Sequence, residues 1–134
     1  MTFYICLDDR NGMLFNNRRQ SRDAAVLADI RNCIGDVLTV EAFSEALVNQ
    51  AGIPFVIAPE NWEDLSPQTH FFLETGEKAA PRLADRIVIY RWNRSYPGDV
   101  FWKADLTELG FSLAETSEFP GKSHDRITKE VYIR

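Results

Sequence analysis

The sequence has little of the chemistry on which metal sites and disulfide frameworks depend. Among its 134 residues there are two cysteines, Cys6 and Cys33, and two histidines, His70 and His124. None of the four has a second thiol or imidazole at the spacing that a zinc site uses, so we predict no metal site and no disulfide. We expect both cysteines to be buried free thiols, since a thiol behaves as a small hydrophobe.

Long hydrophobic runs are also absent. The longest apolar runs, such as residues 53–58, are far shorter than the roughly 20 residues that a membrane-spanning helix needs. The segment after Met1 has no basic residues followed by an apolar core, so no signal peptide is predicted. We therefore expect a cytoplasmic protein without a membrane partner.

Positive charge is missing from a long central segment. Between Arg31 and Lys78 the chain has no lysine or arginine, and its overall net charge of −5 argues against general nucleic-acid binding. This segment predicts an acidic face made of Glu41, Glu45, Glu60, Glu63, Asp64, Glu74 and Glu77. Such a face would suit a basic protein partner, as in immunity or antitoxin proteins, and the alternative is a solvated surface of one sign.

The rest of the composition is that of an ordinary globular protein. Hydrophobic residues make up 45% and charged residues 26% of the chain, whose length is typical of one domain, so we expect a single domain over residues 1–134. Strands are predicted at residues 3–7, 37–40, 55–57, 70–73, 86–92, 110–118 and 127–134, and helices from a cap at Ser21 or Asp23 to Gly35, at 41–50 and at 77–83. Residues 15–22 read as a polar loop. This order predicts an α/β fold with a mostly parallel mixed sheet, flanked by helices, and a C-terminal antiparallel hairpin.

Four short stretches occur in an order that one enzyme family shares. Residues 5–8, with the turn Asn11-Gly12 after them, look like a first strand and its glycine turn. Residues 83–90 look like a helix end followed by a long strand, residues 97–101 like a Gly-Asp-Thr-Phe-Phe-Pro stretch, and residues 128–134 like a final strand. With these stretches the chain resembles the dihydrofolate reductase family over nearly its whole length. The resemblance implies a dihydrofolate reductase-like fold.

The substrate residues of that family transfer poorly to this chain. Counted from Gly12, the resemblance puts the helix acid that protonates the pterin at Ala24, one residue after Asp23. A shift of one residue turns a helical side chain by about 100°, so Asp23 is the nearest candidate for a catalytic acid but is displaced. The aromatic positions of the pterin pocket fall at Arg19 and Ala28. The strand threonine that orients the acid falls at Tyr90.

The cofactor residues of the family fit less well. Where its Gly-Gly loop meets the dinucleotide pyrophosphate, this chain has Leu-Glu-Thr-Gly-Glu at residues 73–77, and a family arginine near the phosphates falls at Glu41. A carboxylate close to a phosphate adds repulsion of about 1 kcal/mol or more per pair. The resemblance therefore implies a diverged domain without the usual NADPH site, and we predict no cofactor. A residual NADPH-dependent reductase is the alternative.

The stretch from Gly12 to Ser21 carries a second resemblance. Its pattern Gly-Met-x-Phe-Asn-x-Arg-Arg-Gln-Ser is similar to that of short bacterial proteins sometimes labelled ribonuclease Z. Enzymes of that name need a His-x-His-x-Asp-His cluster that holds two zinc ions. Two isolated histidines cannot build this cluster, so we do not predict that activity.

Two segments, residues 15–23 and 91–96, are dense in hydrogen-bond donors. In the resembled fold the first lies beside the substrate cleft, and the second begins on a central strand that faces it. Converging guanidinium and amide groups suit a phosphate, a carboxylate or a nucleobase. The predicted ligand-binding residues are Asn16, Arg18, Arg19, Gln20, Tyr90, Arg91 and Asn93. The predicted function is therefore binding of a small anionic or nucleotide-like ligand.

Two structural explanations of these arginines stay open at the level of sequence. One is that the loop arginines are solvated charges. The other is that an arginine staples the loop to the sheet, with Asp8 or Asp99 pairing with Arg19 or Arg91, since a buried arginine needs a partner.

Overall fold

The computed structural model describes residues 1–75 and 81–134. This part of the chain contains two α-helices, α1 (Ala24–Cys33) and α2 (Glu45–Gln50), and 3-10 turns at Ala42–Ser44, Trp62–Asp64 and Pro81–Leu83. Its strands are β1 (Thr2–Leu7), β2 (Gly12–Phe15), β3 (Arg18–Arg19), β4 (Leu38–Val40), β5 (Phe55–Ile57), β6 (His70–Phe72), β7 (Arg86–Arg91), β8 (Val100–Phe101), β9 (Ser112–Phe119) and β10 (Ile127–Ile133). No helix within these ranges is both long enough and apolar enough to cross a membrane.

Seven strands form one sheet in the order β5-β4-β6-β1-β7-β10-β9. The first five run parallel to one another, and β10 runs antiparallel to both of its neighbours. Most side chains of β1 and β7 are buried, as expected of central parallel strands whose sequences are continuous apolar runs. The predicted α/β fold, with its mostly parallel sheet and its C-terminal hairpin, is confirmed.

Residues 12–19 form a hairpin where the sequence predicts a polar loop. β2 and β3 pair antiparallel, with Phe15 opposite Arg18, and β8 pairs on the other side of β2. The turn residues Asn16 and Asn17 have φ of 51° and 61°. Positive φ at both central residues is typical of the type I′ turn that matches the twist of two strands, and asparagine tolerates it better than most residues do. The arginines of this segment are therefore held on a paired ribbon.

Both described α-helices pack on one face of the main sheet. α1 begins after Asp23, whose carboxylate accepts a hydrogen bond from the Ala25 N–H at 2.8 Å. The apolar sides of α1 and α2 share one core with side chains of the strands. A second core on the opposite face is covered by loop residues, among them Trp102 and Phe111, and by part of the small sheet. Among the described residues, therefore, α-helices cover one face and not both.

Three details differ from the sequence prediction. The predicted helix over residues 41–50 begins as a 3-10 turn and continues as α2. Of the predicted helix over residues 77–83, residues 77–80 lie outside the described part, and Pro81–Leu83 is a 3-10 turn. Both cysteines are free thiols, but neither is fully buried: Cys6 is half-buried, and Cys33 is exposed because it occupies the solvent side of the last turn of α1.

Candidate ligand-binding cleft

Charged side chains follow the carboxyl ends of the parallel strands. Asp8 comes directly after β1, Glu41 directly after β4, and Glu74 two residues after β6. In open α/β sheets, ligands bind outside this edge of the sheet. A ligand site is therefore expected where these side chains meet α1 and the β2–β3 hairpin.

Two cavities adjoin at Arg22. The first, of about 420 Å³, is lined mainly by α1 and α2, with Leu27, Leu47 and Ile53 as its apolar part. The second, of about 440 Å³, is lined by the hairpin, by Phe43 and by two residues that precede α1, Ser21 and Arg22. Because Arg22 lines both, we call the two cavities together the cleft. This size is within the range of pockets for small molecules.

Two arginines of the cleft have no partner in the described structure. Arg18 and Arg22 are exposed, and neither side chain forms a hydrogen bond or an ion pair with a described residue. Within residues 1–75 and 81–134, therefore, no neighbouring carboxylate neutralises their guanidinium charges. An unpaired guanidinium offers a planar set of donors to a phosphate or a carboxylate.

Arg19, in contrast, is held by its neighbours. Its Nε lies 2.9 Å from Oε2 of Glu74 and its Nη2 lies 3.0 Å from Oε1, a bidentate pair, while the guanidinium sits over the Phe43 ring at 5.2 Å. Glu74 is buried and also accepts a hydrogen bond from Ser44 Oγ at 2.7 Å. The hydrogen bond to Glu74 is the main cause that raises the pKa of Arg19. The stapling explanation is correct in kind, but the partner is Glu74 and neither Asp8 nor Asp99.

The candidate acid Asp23 is fully enclosed. Its carboxylate accepts hydrogen bonds from the main-chain N–H groups of Ala25, Lys122, Ser123 and His124 at 2.8–3.1 Å and from Nδ1 of His124 at 2.9 Å. Burial by itself raises the pKa of the Asp23 carboxyl, but the hydrogen bonds outweigh it and lower the pKa from 3.8 to about 2. Asp23 is therefore ionised at neutral pH and has no proton to donate.

The imidazole of His124 connects Asp23 to two hydroxyl groups. Its Nε2 lies 2.9 Å from Ser21 Oγ and 2.9 Å from the Tyr96 hydroxyl oxygen. The ring stacks on Trp92 with centroids 4.6 Å apart and planes 17° from parallel. The His124 side chain is only 1% exposed. Both of its ring nitrogens have hydrogen-bond partners, and the packing against Trp92 sets the plane of the ring.

Sequence reasoning missed this cluster because its members are far apart in the chain. Ser21 and Asp23 stand near the start of α1, and His124 follows more than a hundred residues later. The one local signal is Gly121: a Cβ there would lie 2.5 Å from the His124 carbonyl oxygen and 2.6 Å from Oδ2 of Asp23. A glycine is needed for this close approach, but the sequence does not show what it approaches.

Two further predicted residues lie in the β2–β3 hairpin or directly after it. Gln20 donates from Nε2 to Oδ2 of Asp8 at 3.2 Å and to the Pro97 carbonyl oxygen at 3.1 Å. Asn16 donates its main-chain N–H to Oδ2 of Asp99 at 3.1 Å. Both contacts attach the hairpin to neighbouring loops, and neither residue is among those that line the cleft.

The three predicted residues from β7 and its continuation lie elsewhere. The buried Tyr90 hydroxyl donates to Oδ2 of Asp29 at 2.6 Å, and burial is the main cause that raises the pKa of Tyr90. Arg91 donates to Oε1 of Glu130 at 2.9 Å and to Oδ1 of Asn11 at 2.8 Å. The Asn93 side-chain amide donates to the Arg126 carbonyl oxygen and to Thr128 Oγ1, at the β10 end of the β9–β10 hairpin. The structure therefore brings Arg18 and Arg19 to the cleft, and it does not bring Tyr90, Arg91 or Asn93 there.

The Glu41 carboxylate occupies main-chain donors after β6. Its Oε1 accepts the N–H groups of Glu74 and Thr75 at 3.2 and 3.3 Å, and its Oε2 accepts the Thr75 hydroxyl at 2.6 Å.

In residues 1–75 and 81–134, no group of three or more His, Cys, Asp or Glu side chains is placed to hold a metal ion.

The comparisons with known proteins agree with the topology. No protein-family model matches the chain, and no curated protein matches it in sequence. A dihydrofolate reductase from Enterococcus faecalis, solved in complex with NADP(H) and RAB-propyl, matches in structure with a TM-score of 0.68. The match covers 100% of this chain and 96% of that chain, at 12% sequence identity. The chain has a dihydrofolate reductase-like fold, with a sequence that has diverged far from that reductase.

Proposed function

We propose that this domain binds a small organic anion, such as a nucleotide or another phosphate or carboxylate compound, in the cleft. The observation that carries the proposal is the Arg22 guanidinium, which lines both cavities of the cleft and has no partner among the residues that the structure describes. Arg18 adds a second unpaired guanidinium in the second cavity. Two charges without partners at a concave surface favour an anion from solution, because neither needs to break an internal ion pair to bind it.

The first cavity suggests the body of the ligand. Its apolar part is formed by Leu27, Leu47 and Ile53, and Arg22 and Arg31 also line it. Arg31 donates to the Gly52 carbonyl oxygen and keeps further N–H groups for a ligand. An apolar surface with cationic groups around it suits a ligand that has a flat apolar part and an anionic group.

We infer that NADPH does not bind in the manner of the family. In support, the Glu41 carboxylate accepts the N–H groups of Glu74 and Thr75, in the stretch where the resemblance puts the pyrophosphate. A pyrophosphate would have to displace this carboxylate and would meet its charge. Catalysis of folate reduction also has little support, because Asp23 is the nearest acid and uses its whole carboxylate for internal hydrogen bonds.

The alternative of a basic protein partner on the acidic face has less support. Glu41 and Glu74 direct their carboxylates to internal donors, and Glu63 pairs with Arg82. Glu77 lies outside the described residues. A face with fewer free carboxylates attracts a basic partner less strongly.

A thermal-shift titration tests the proposal. The ligands are inorganic phosphate, adenosine monophosphate, folate and NADPH, with uncharged adenosine as the comparison. We expect at least one anion to raise the Tm of the wild type, and Arg22→Ala to weaken its apparent affinity about tenfold, the cost of losing one charge-assisted pair. Arg126→Ala is the matched control, because Arg126 is an exposed arginine that does not line the cleft.

Two results would contradict the proposal. One is a wild-type Tm that no anion changes. The other is an anion effect of equal size in the Arg22→Ala and Arg126→Ala variants, since such an effect would not come from the cleft. If Glu41→Ala increases the Tm shift caused by NADPH, the result supports the inference that the Glu41 carboxylate opposes NADPH binding. Tight NADPH binding by the wild type would overturn that inference.

A further inference from the structure

Ser21, His124 and Asp23 form a continuous hydrogen-bonded chain. Ser21 Oγ lies 2.9 Å from Nε2 of His124, and Nδ1 of the same ring lies 2.9 Å from Oδ2 of Asp23. These are the relations of a nucleophile, its general base and the carboxylate that orients the base. We propose that this cluster is a serine nucleophile site that hydrolyses small esters by acyl transfer.

The protonation of the cluster follows from its geometry. Asp23 is ionised, so Nδ1 of His124 must carry the hydrogen that points at Oδ2. In the neutral ring Nε2 is then an acceptor, and the Ser21 hydroxyl is within donating distance of it. This is the tautomer that a base needs in order to take a proton from serine.

The base is held rigidly and the nucleophile is at the open end. The His124 and Asp23 side chains are 1% and 0% exposed, and Trp92 stacks on the ring. Ser21 is half-buried and lines the second cavity of the cleft. A bound molecule can therefore reach the hydroxyl group while water does not reach the carboxylate.

Donors for a developing oxyanion lie next to the nucleophile in the chain. The main-chain N–H groups of Ser21 and Arg22 donate to no acceptor in the described ranges. Unused N–H groups beside a nucleophile are the usual means by which the negative charge of a tetrahedral intermediate is stabilised.

The reaction has two halves. Ser21 Oγ forms a bond to the ester carbonyl carbon while its proton passes to Nε2 of His124, and the bond to the alkoxide then breaks as the alkoxide takes that proton. A water molecule next gives a proton to Nε2 and attacks the acyl carbon. The bond to Oγ breaks, the proton returns to Ser21, and the products are an alcohol and a carboxylic acid.

Tyr96 modulates this site. Its hydroxyl group also lies 2.9 Å from Nε2, so it competes with Ser21 for the same lone pair. Removal of this hydroxyl in Tyr96→Phe leaves Nε2 to Ser21 alone and is expected to increase acylation about two- to fivefold, the effect of less than one hydrogen bond. An anionic group on the ester would reach Arg18 or Arg22. This preference for anionic esters, unlike the serine chemistry, rests on the proposed function.

The experiment combines labelling with turnover. A fluorophosphonate probe is incubated with native and with unfolded protein, and the adduct is located by peptide mass spectrometry. Hydrolysis of neutral p-nitrophenyl acetate is followed in the wild type, in Ser21→Ala and in Ser117→Ala, whose exposed hydroxyl lies on β9 outside the cleft. We expect an adduct on Ser21 in the native protein only and a loss of about 100-fold or more in Ser21→Ala, the range for a nucleophile with its base.

The proposal is overturned if native protein carries no adduct at Ser21, or if Ser21→Ala hydrolyses the ester as fast as Ser117→Ala. Either result assigns the cluster a structural role alone. Labelling of the wild type needs no variant, so the test stands even if Ser21→Ala folds poorly. A comparison of p-nitrophenyl acetate with its anionic succinate analogue separates the two proposals: equal kcat/KM for both esters contradicts the anion site and leaves the serine site in place.

Discussion

Nδ1 of His124 lies 2.9 Å from Oδ2 of Asp23, although 101 residues separate the two in the chain. The same carboxylate caps α1 and accepts three main-chain N–H groups of the β9–β10 connection. One buried charge therefore joins the first helix to the C-terminal hairpin. Its removal affects both elements, because a buried donor that loses its acceptor costs about 1–3 kcal/mol.

The Asp23 carboxyl predicts a loss of stability in acid. Its pKa in the folded protein is about 2, below the ordinary 3.8, so its contribution is complete above pH 4 and is lost as the pH falls toward 2. We expect this contribution to be about 2 kcal/mol. Urea unfolding from pH 7 to pH 2 measures it as the difference between wild type and Asp23→Asn, which should shrink below pH 4. Exposed Asp125→Asn is the control, and a difference that is independent of pH would contradict the assignment.

The pair of Arg19 and Glu74 predicts unequal effects of two adjacent substitutions. Arg19→Ala leaves the buried Glu74 carboxylate with Ser44 as its remaining side-chain donor, and we expect a loss of about 2–3 kcal/mol in the free energy of unfolding. Arg18→Ala removes an exposed and unpaired charge and should change stability by less than about 0.5 kcal/mol. Chemical denaturation of both variants checks this, and equal losses would be inconsistent with the pair.

The turn of the β2–β3 hairpin predicts a stabilising substitution. Asn17 has a φ of 61°, so Asn17→Gly relieves backbone strain and creates the Asn-Gly pair that type I′ turns favour. We expect a gain of about 0.5 kcal/mol, seen as a higher Tm. Asn32→Gly, in exposed helical backbone of α1, should lower the Tm because glycine is a poorer helix former. A lower Tm in Asn17→Gly would mean that the turn is not of this type.

The tight contact at Gly121 predicts sensitivity to one methyl group. In Gly121→Ala the new Cβ would lie 2.5 Å from the His124 carbonyl oxygen and 2.6 Å from Oδ2 of Asp23, so the connection must shift. We expect a loss of about 1–3 kcal/mol, typical of overpacking. Gly35→Ala is the matched control, because a Cβ there has no neighbour within 4 Å, and it should be neutral or slightly stabilising. Comparable losses at both glycines would argue against the close approach.

Most of the main sheet could be predicted from local patterns. β1 and β7 are apolar runs bounded by turn residues, and α1 shows helical spacing after a capping aspartate, so their existence and order follow from short segments. The β2–β3 hairpin is not predicted because both of its strands are short and β3 consists of two arginines, so the alternation that marks a strand is absent. The candidate site was predicted in part: Arg18 and Arg19 reach the cleft, whereas Arg91 faces Glu130.

By itself, then, the sequence determined the α/β alternation, the parallel core, the terminal hairpin and the presence of several arginines directly before α1. Local hydrophobic periodicity and capping chemistry are properties of neighbouring residues, so they can be recognised without knowledge of the fold. Only the tertiary structure decided which arginines are free, that Glu74 holds Arg19, and that His124 joins Ser21 to Asp23. These contacts depend on the order of the strands in the sheet and on which loops that order brings together. No short segment of a single sequence indicates either.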